Sequence, residues 1–184
     1  EGIPARAQTR TGYFSTTEVE TVLSLLSVID NPMQDIPLAA VLRSPVVGMS
    51  DDEMAWMMAS YKKNTKKGQD RGVYGAWKLW EEEREHPGLR EALEHPGGAF
   101  ENETGDSEDA VRIGAAVVPV EQAALIWKKL EDFGALLKEL RTEARYRPIH
   151  ELLYYVYRRS GYYDYVSAMP SGETRRANLD MLVE

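Results

Sequence analysis

Apolar residues recur at helical spacing along most of this chain. Val19, Val22, Leu23, Leu26 and Ile29 mark a first helix. Ser15, Thr16 or Thr17 can cap it, and Glu18 and Glu20 in its first turn suit the helix dipole. Asp30-Asn31-Pro32 stops it. Asp35 can cap a short second helix, with Pro37 in its first turn and Leu38, Val41 and Leu42 on its inner face. Ser44-Pro45 ends that helix, because a residue before proline avoids helical angles. Val46-Val47-Gly48-Met49-Ser50 then forms a tight turn with free backbone amides. It feeds a third helix capped by Ser50, with Asp51, Asp52 and Glu53 in the first turn. Met54, Trp56, Met57, Met58 and Tyr61 make this helix apolar on more than one side, which predicts partial burial.

Lys62 to Gly72 is polar and basic and reads as a solvated loop, with a minor phosphate contact as its functional alternative. Tyr74, Trp77 and Trp80 return to helical spacing. His86-Pro87-Gly88 and His95-Pro96-Gly97 bracket a short helix, Leu89 to Leu93. Two such echoes do not make a repeat architecture. Residues 97–110 are rich in glycine and acid and read as a mobile linker inside the domain. Pro119 opens the longest helix, to about Arg145, with Ile126, Leu130, Phe133, Leu137, Leu140 and Ala144 in one stripe. Pro148 starts another, which Gly161 ends. Tyr162 to Met169 adds a turn or two, and Thr174 can cap a last helix through Leu182. The expected fold is all-α: an irregular domain of about eight helices, with one short edge strand at Ile3 to Thr9, confined to an edge by Pro4.

Length and composition narrow this picture. At 184 residues, 43% of them hydrophobic, the chain is expected to be a single domain with a sizeable core. It has no cysteine, so disulfides, thiolate catalysis and Cys-ligated zinc are excluded, and a reducing cytoplasm suits it. No apolar run approaches the ~18 residues of a membrane span. It opens on Glu1 rather than Met, with no signal peptide, and reads as a segment of a longer chain. The net charge of −8 counts against strong independent nucleic-acid binding but leaves room for a local patch.

Candidate chemistry is sparse. No phosphate-binding GxxxxGK[ST] loop and no GxSxG elbow occur. His86, His95 and His150 lack partners at ligand spacing, and the acidic run has neither the spaced ligands nor the final Glu of a calcium loop. The tyrosines Tyr154, Tyr155, Tyr157, Tyr162, Tyr163 and Tyr165 could stack bases. Their spacing suits half-buried rings with hydroxyls at the rim better. Arg158, Arg159, Arg175 and Arg176 read as helix-end charges. Arg43 differs, since it stands beside the Gly48 turn.

Several runs resemble one family. They are Gly12-Tyr13-Phe14, Ile29-Asp30-Asn31-Pro32 and Asp35 through Gly48, then Arg147-Pro148-Ile149-His150-Glu151-Leu152-Leu153, Ser160-Gly161-Tyr162-Tyr163-Asp164-Tyr165-Val166, Pro170-Ser171-Gly172-Glu173 and Arg176-Ala177-Asn178-Leu179. Together they resemble superfamily 1 UvrD/Rep-type DNA helicases, and among them the AddA polypeptides of bacterial ATP-dependent helicase–nucleases. About Lys62 to Val118 carries no such likeness. The resemblance implies the 2B subdomain, a helical insertion in the second motor domain, in an enzyme of double-strand-break repair and recombination. It implies a duplex-DNA contact near the fork through Val46, Val47, Gly48, Met49 and Ser50, with Arg43 nearby. Relatives often carry Gly-Ile-Gly where this chain has Gly48-Met49-Ser50. The family's ATP and Mg site, arginine finger and nuclease carboxylates lie outside this segment, so the resemblance assigns no catalytic residue here. Its implied partners are duplex DNA, the remaining motor domains and a second helicase–nuclease subunit. The rival expectation is a module whose helices dock that partner subunit, consistent with the net acidity. An independent small enzyme has no supporting constellation.

Overall fold

A computed structural model describes residues 13–62, 71–83 and 110–184. The expected N-terminal edge strand, the basic loop, the His-Pro-Gly helix and the acidic linker lie largely or wholly outside these residues. A 3-10 turn, Tyr13–Ser15, leads into α1 (Thr17–Asp30), α2 (Asp35–Arg43), α3 (Asp51–Lys62) and α4 (Gly72–Glu83). A two-stranded antiparallel hairpin follows, β1 (Ala110–Ile113) with β2 (Ala116–Pro119). Then come α5 (Val120–Glu143), α6 (Ile149–Ser160), α7 (Tyr162–Ala168) and α8 (Gly172–Met181). Eight α-helices among the described residues match the all-α expectation.

The helices form where the periodicity places them, but several ends are held differently from the local reading. Thr16 occupies the cap position of α1, yet its hydroxyl donates to the Tyr13 carbonyl at 3.1 Å instead of accepting from the helix. Asp35 is the first residue of α2, not its cap. Its carboxylate accepts from the N–H of Val73 at 2.9 Å and so caps α4. Gly72, at φ +55°, makes that approach possible: a Cβ there would lie 2.0 Å from Asp35 Oδ2. The last helix starts two residues before Thr174, at Gly172, where a Cβ would lie 2.1 Å from the Ser167 carbonyl oxygen.

The hairpin occupies a stretch before Pro119 to which the sequence pattern assigns no element. Val111, Ile113, Val117 and Val118 are β-branched, and the strands pair Ala110 with Pro119 through Ile113 with Ala116. The hairpin docks on the end of α3, where the Ala115 N–H donates to the Ser60 carbonyl at 3.0 Å. Gly114, at φ +52°, turns against that same carbonyl.

One contiguous core collects the inner faces. Leu25, Leu38, Leu42, Met57, Trp80, Ile126, Leu130, Leu140 and Leu179 are almost fully buried in it. Trp80 and Trp127 pack with ring centres 4.9 Å apart, and the Trp127 indole donates to the Trp80 carbonyl at 2.7 Å. The long helix α5 is the spine, touching α1, α3, α4, α6 and both strands. No helix among the described residues is long and apolar enough to cross a membrane.

Candidate nucleic-acid interface

The turn between α2 and α3 begins at the buried Ser44, whose hydroxyl donates to the Val41 carbonyl at 2.7 Å. Pro45 prevents α2 from continuing. Val46 and Val47 are half-buried against the core, and Met49 is buried. Gly48 sits exposed at the tip with φ +73°, and nothing lies within 4 Å of where its Cβ would be. The turn is therefore a knuckle anchored by Met49 and presenting backbone at Gly48.

The amides of this knuckle are not free. Val46 N–H donates to the Ser44 hydroxyl oxygen at 3.3 Å, and Val47 and Gly48 N–H donate to the Ser44 carbonyl at 3.1 and 2.7 Å. Met49 N–H donates to the Leu42 carbonyl at 2.9 Å, and Ser50 N–H to the Glu53 carboxylate at 2.7 Å. The expectation of free amides fails because a turn this short closes on the carbonyls of the helix it leaves.

Ser50 and Glu53 form a reciprocal capping box, with the Glu53 N–H donating to Ser50 Oγ at 3.2 Å. The local pattern places both residues at the helix start without pairing them. The contact of Glu53 with Lys129, 76 residues away, carries no local signal. Lys129 Nζ donates to both Glu53 oxygens, at 2.8 and 2.7 Å, and to the Gly48 carbonyl at 2.8 Å. Burial pushes the Glu53 carboxyl up, but hydrogen bonds from Lys129 and Ser50 and the Lys129 charge outweigh it and hold the group below the usual carboxylate range.

Arg43 is exposed and pairs with Asp51 at 2.6 Å across the mouth of the turn. Arg43, Gly48 and Ser50 are the exposed members of the expected set, while Met49 serves the core. Among the tyrosines, Tyr157 and Tyr162 are buried and Tyr155 and Tyr163 half-buried. Tyr155 donates to Glu139 at 2.5 Å, Tyr163 to Asp180 at 2.9 Å and Tyr157 to the Leu179 carbonyl at 3.0 Å. Tyr154 and Tyr165 are exposed. His150 is exposed, and Arg159 pairs with Glu139 at 2.8 Å. Among the described residues no group of three or more His, Asp or Glu is placed to hold a metal ion.

No family model matches the chain. Among curated proteins, it is similar from end to end to one segment of the ATP-dependent helicase/nuclease A subunits. It is 37% identical over 183 residues to that of Thermoanaerobacter sp. (strain X514), which covers 100% of the chain and 11% of the relative. The counterpart in Bacillus cytotoxicus is 35% identical over 184 residues, and that in Bacillus cereus (strain B4264) 36%, each covering 100% of the chain and 12% of the relative. The chain thus spans about a ninth of the length of the curated relatives it matches. From end to end, the chain is similar to one segment of the ATP-dependent helicase/nuclease A subunits.

Proposed function

We propose that these 184 residues are one helical accessory unit of an ATP-dependent DNA helicase–nuclease that acts in double-strand-break repair and recombination in the bacterial cytoplasm. The observation that carries this reading is the unbroken likeness to the helicase/nuclease A subunits. ATP and Mg, with all bond-breaking chemistry, belong to the rest of the parent chain, and a second subunit completes the complex. The unit itself contacts duplex DNA near the fork through Arg43 and the Val46–Ser50 knuckle.

The contact works through a cation and a bare backbone, not through an amide cradle. Gly48 has open space around it, so a phosphate strand can approach closely. Arg43 exchanges Asp51 for a phosphate at low cost, since an exposed ion pair contributes about 0–1 kcal/mol. Such contacts carry no sequence information, as an enzyme that travels along any sequence requires.

The test titrates a labelled hairpin–overhang duplex at low and moderate salt. It compares the wild type with the double variant Arg43→Ala, Gly48→Val, checked for folding by circular dichroism. Salt-sensitive binding that the folded variant loses is the expected result. A second reading, docking of the partner subunit, draws on the exposed Ile36 and Met33, with Ile36 lining a groove between α1, α2 and α7. Salt-insensitive capture of that subunit, with no duplex binding, would favour it.

A further inference from the structure

On α5 and just beyond its end, Gly134, Lys138, Arg141 and Arg145 recur at helical spacing and line one wall of an open groove of about 470 Å³. The facing wall is α4, which contributes Tyr74, Trp77 and Lys78. Four cations therefore face a single carboxylate, Glu81, in a chain of net charge −8. Lys78 pairs with Glu81 and lies 5.3 Å from the Trp77 ring centre. Lys138, Arg141 and Arg145 are exposed and have no ion-pair partner among the described residues.

Two acids near the C-terminal end of α5 have their own cations. Glu139 takes Arg159 at 2.8 Å, and Glu143 takes Arg147 at 2.5 Å. These pairs engage Glu139 and Glu143 outside the lining of the groove. Gly134 adds no side chain to the groove floor. Trp77 is buried beneath it, 5.2 Å from Phe133.

We infer that the α4–α5 groove is a second contact for the phosphate backbone of duplex DNA, separate from the Gly48 knuckle. The choice of DNA over another polyanion rests on the function proposed above. Lys138 to Arg145 spans about 10 Å along α5 and the turn that follows it, the axial length over which one strand of B-DNA places about three phosphates. Single-strand binders present aromatic faces for bases to stack on. Here Trp77 is buried and Tyr74 half-buried with Lys78 near its ring, so the groove reads backbone only. Lys129, which holds the knuckle, precedes Lys138 by nine residues. That is about two and a half helical turns, so knuckle and groove lie on opposite sides of α5.

The experiment measures affinity of the full chain for a fluorescent duplex of about 20 base pairs across a salt series. It compares wild type, Arg43→Ala, and the triple variant Lys138→Gln, Arg141→Gln, Arg145→Gln, with melting temperatures as the folding control. A single strand of equal length forms the second arm. The triple variant is expected to keep its melting temperature, to bind duplex at least about ten-fold more weakly at low salt, and to flatten the logarithmic salt slope by about 2 to 3. An unchanged slope in the folded triple variant, with loss in Arg43→Ala, overturns the groove and leaves the knuckle standing. Loss confined to the single-strand arm overturns the duplex as occupant. Absence of duplex binding by the wild type at low salt overturns groove and knuckle together.

Discussion

Two glycines show how much a single Cβ decides. Gly72 and Gly48 both have positive φ, yet only Gly72 faces a packed carboxylate. Gly48→Ala is expected to cost about 1 kcal/mol, the ordinary penalty of a left-handed backbone. Gly72→Ala adds the displacement of Asp35 and the loss of its bond to Val73, about 1–2 kcal/mol more. Urea denaturation of the two variants should rank them in that order, and equal midpoints would refute the cap. Asp35 also shows the limit of local reading. Its type and position suggest a cap of α2, but it is that helix's first residue, and its carboxylate caps α4 through Val73, 38 positions away.

Between elements, the α2–α3 knuckle is held from outside by α5. Lys129→Met would leave the buried Glu53 carboxylate with only the Ser50 N–H and would release the Gly48 carbonyl. Removing one partner of a buried pair costs about 3–5 kcal/mol. Lys129 is 30% exposed, so about 2 kcal/mol is expected here. Faster amide exchange at Gly48 and Met49 in this variant is the check, and unchanged protection would show that the capping box alone holds the turn. The start of α3 is readable from Ser50 and the acids that follow it, while the Ser50–Glu53 pairing is seen only in the structure. The hairpin is harder to read. Its strands are four residues each, shorter than the periodicity needs to declare itself, and Gly114 is required by its positive φ and its approach to Ser60, which the local pattern does not show.

For the molecule as a whole, the last helix closes on the first. Glu18, 4% exposed, accepts from Asn178 at 2.7 Å and from Arg175 at 2.8 Å. The Tyr13 hydroxyl donates to the Asn178 carbonyl at 2.6 Å. Burial pushes the Glu18 carboxyl up, but the Asn178 hydrogen bond and the Arg175 charge, with other hydrogen bonds, bring it below its ordinary value. A carboxyl lowered by folding adds stability that is present above its unfolded pKa, about 4.3, and is lost as pH falls through the folded value. Glu18 and Glu53 should therefore make the melting temperature fall on acidification below about pH 4.3. Glu18→Gln should lower stability near neutral pH by about 1–2 kcal/mol, and its deficit should shrink as the pH drops through that window. A deficit independent of pH would mean that packing, not charge, joins the chain's two ends.

The linear pattern is enough to say which stretches are helices, where prolines and glycines break them, and that the chain lacks the thiols and phosphate loops of several enzyme classes. Those properties depend on neighbours three or four positions away, which a string of residues displays directly. The family likeness is carried the same way, through long ordered runs. Packing in three dimensions is what makes Asp35 cap α4, Lys129 clamp the Gly48 turn and Glu18 join α1 to α8, and what engages the amides around Gly48. Packing also sorts the charges of α5, turning Glu139 and Glu143 toward the arginines of α6 and its approach while Lys138, Arg141 and Arg145 face a groove. Charge and hydrogen-bond partners are chosen in space, across separations of tens of residues, and one residue's identity does not name the group that will answer it.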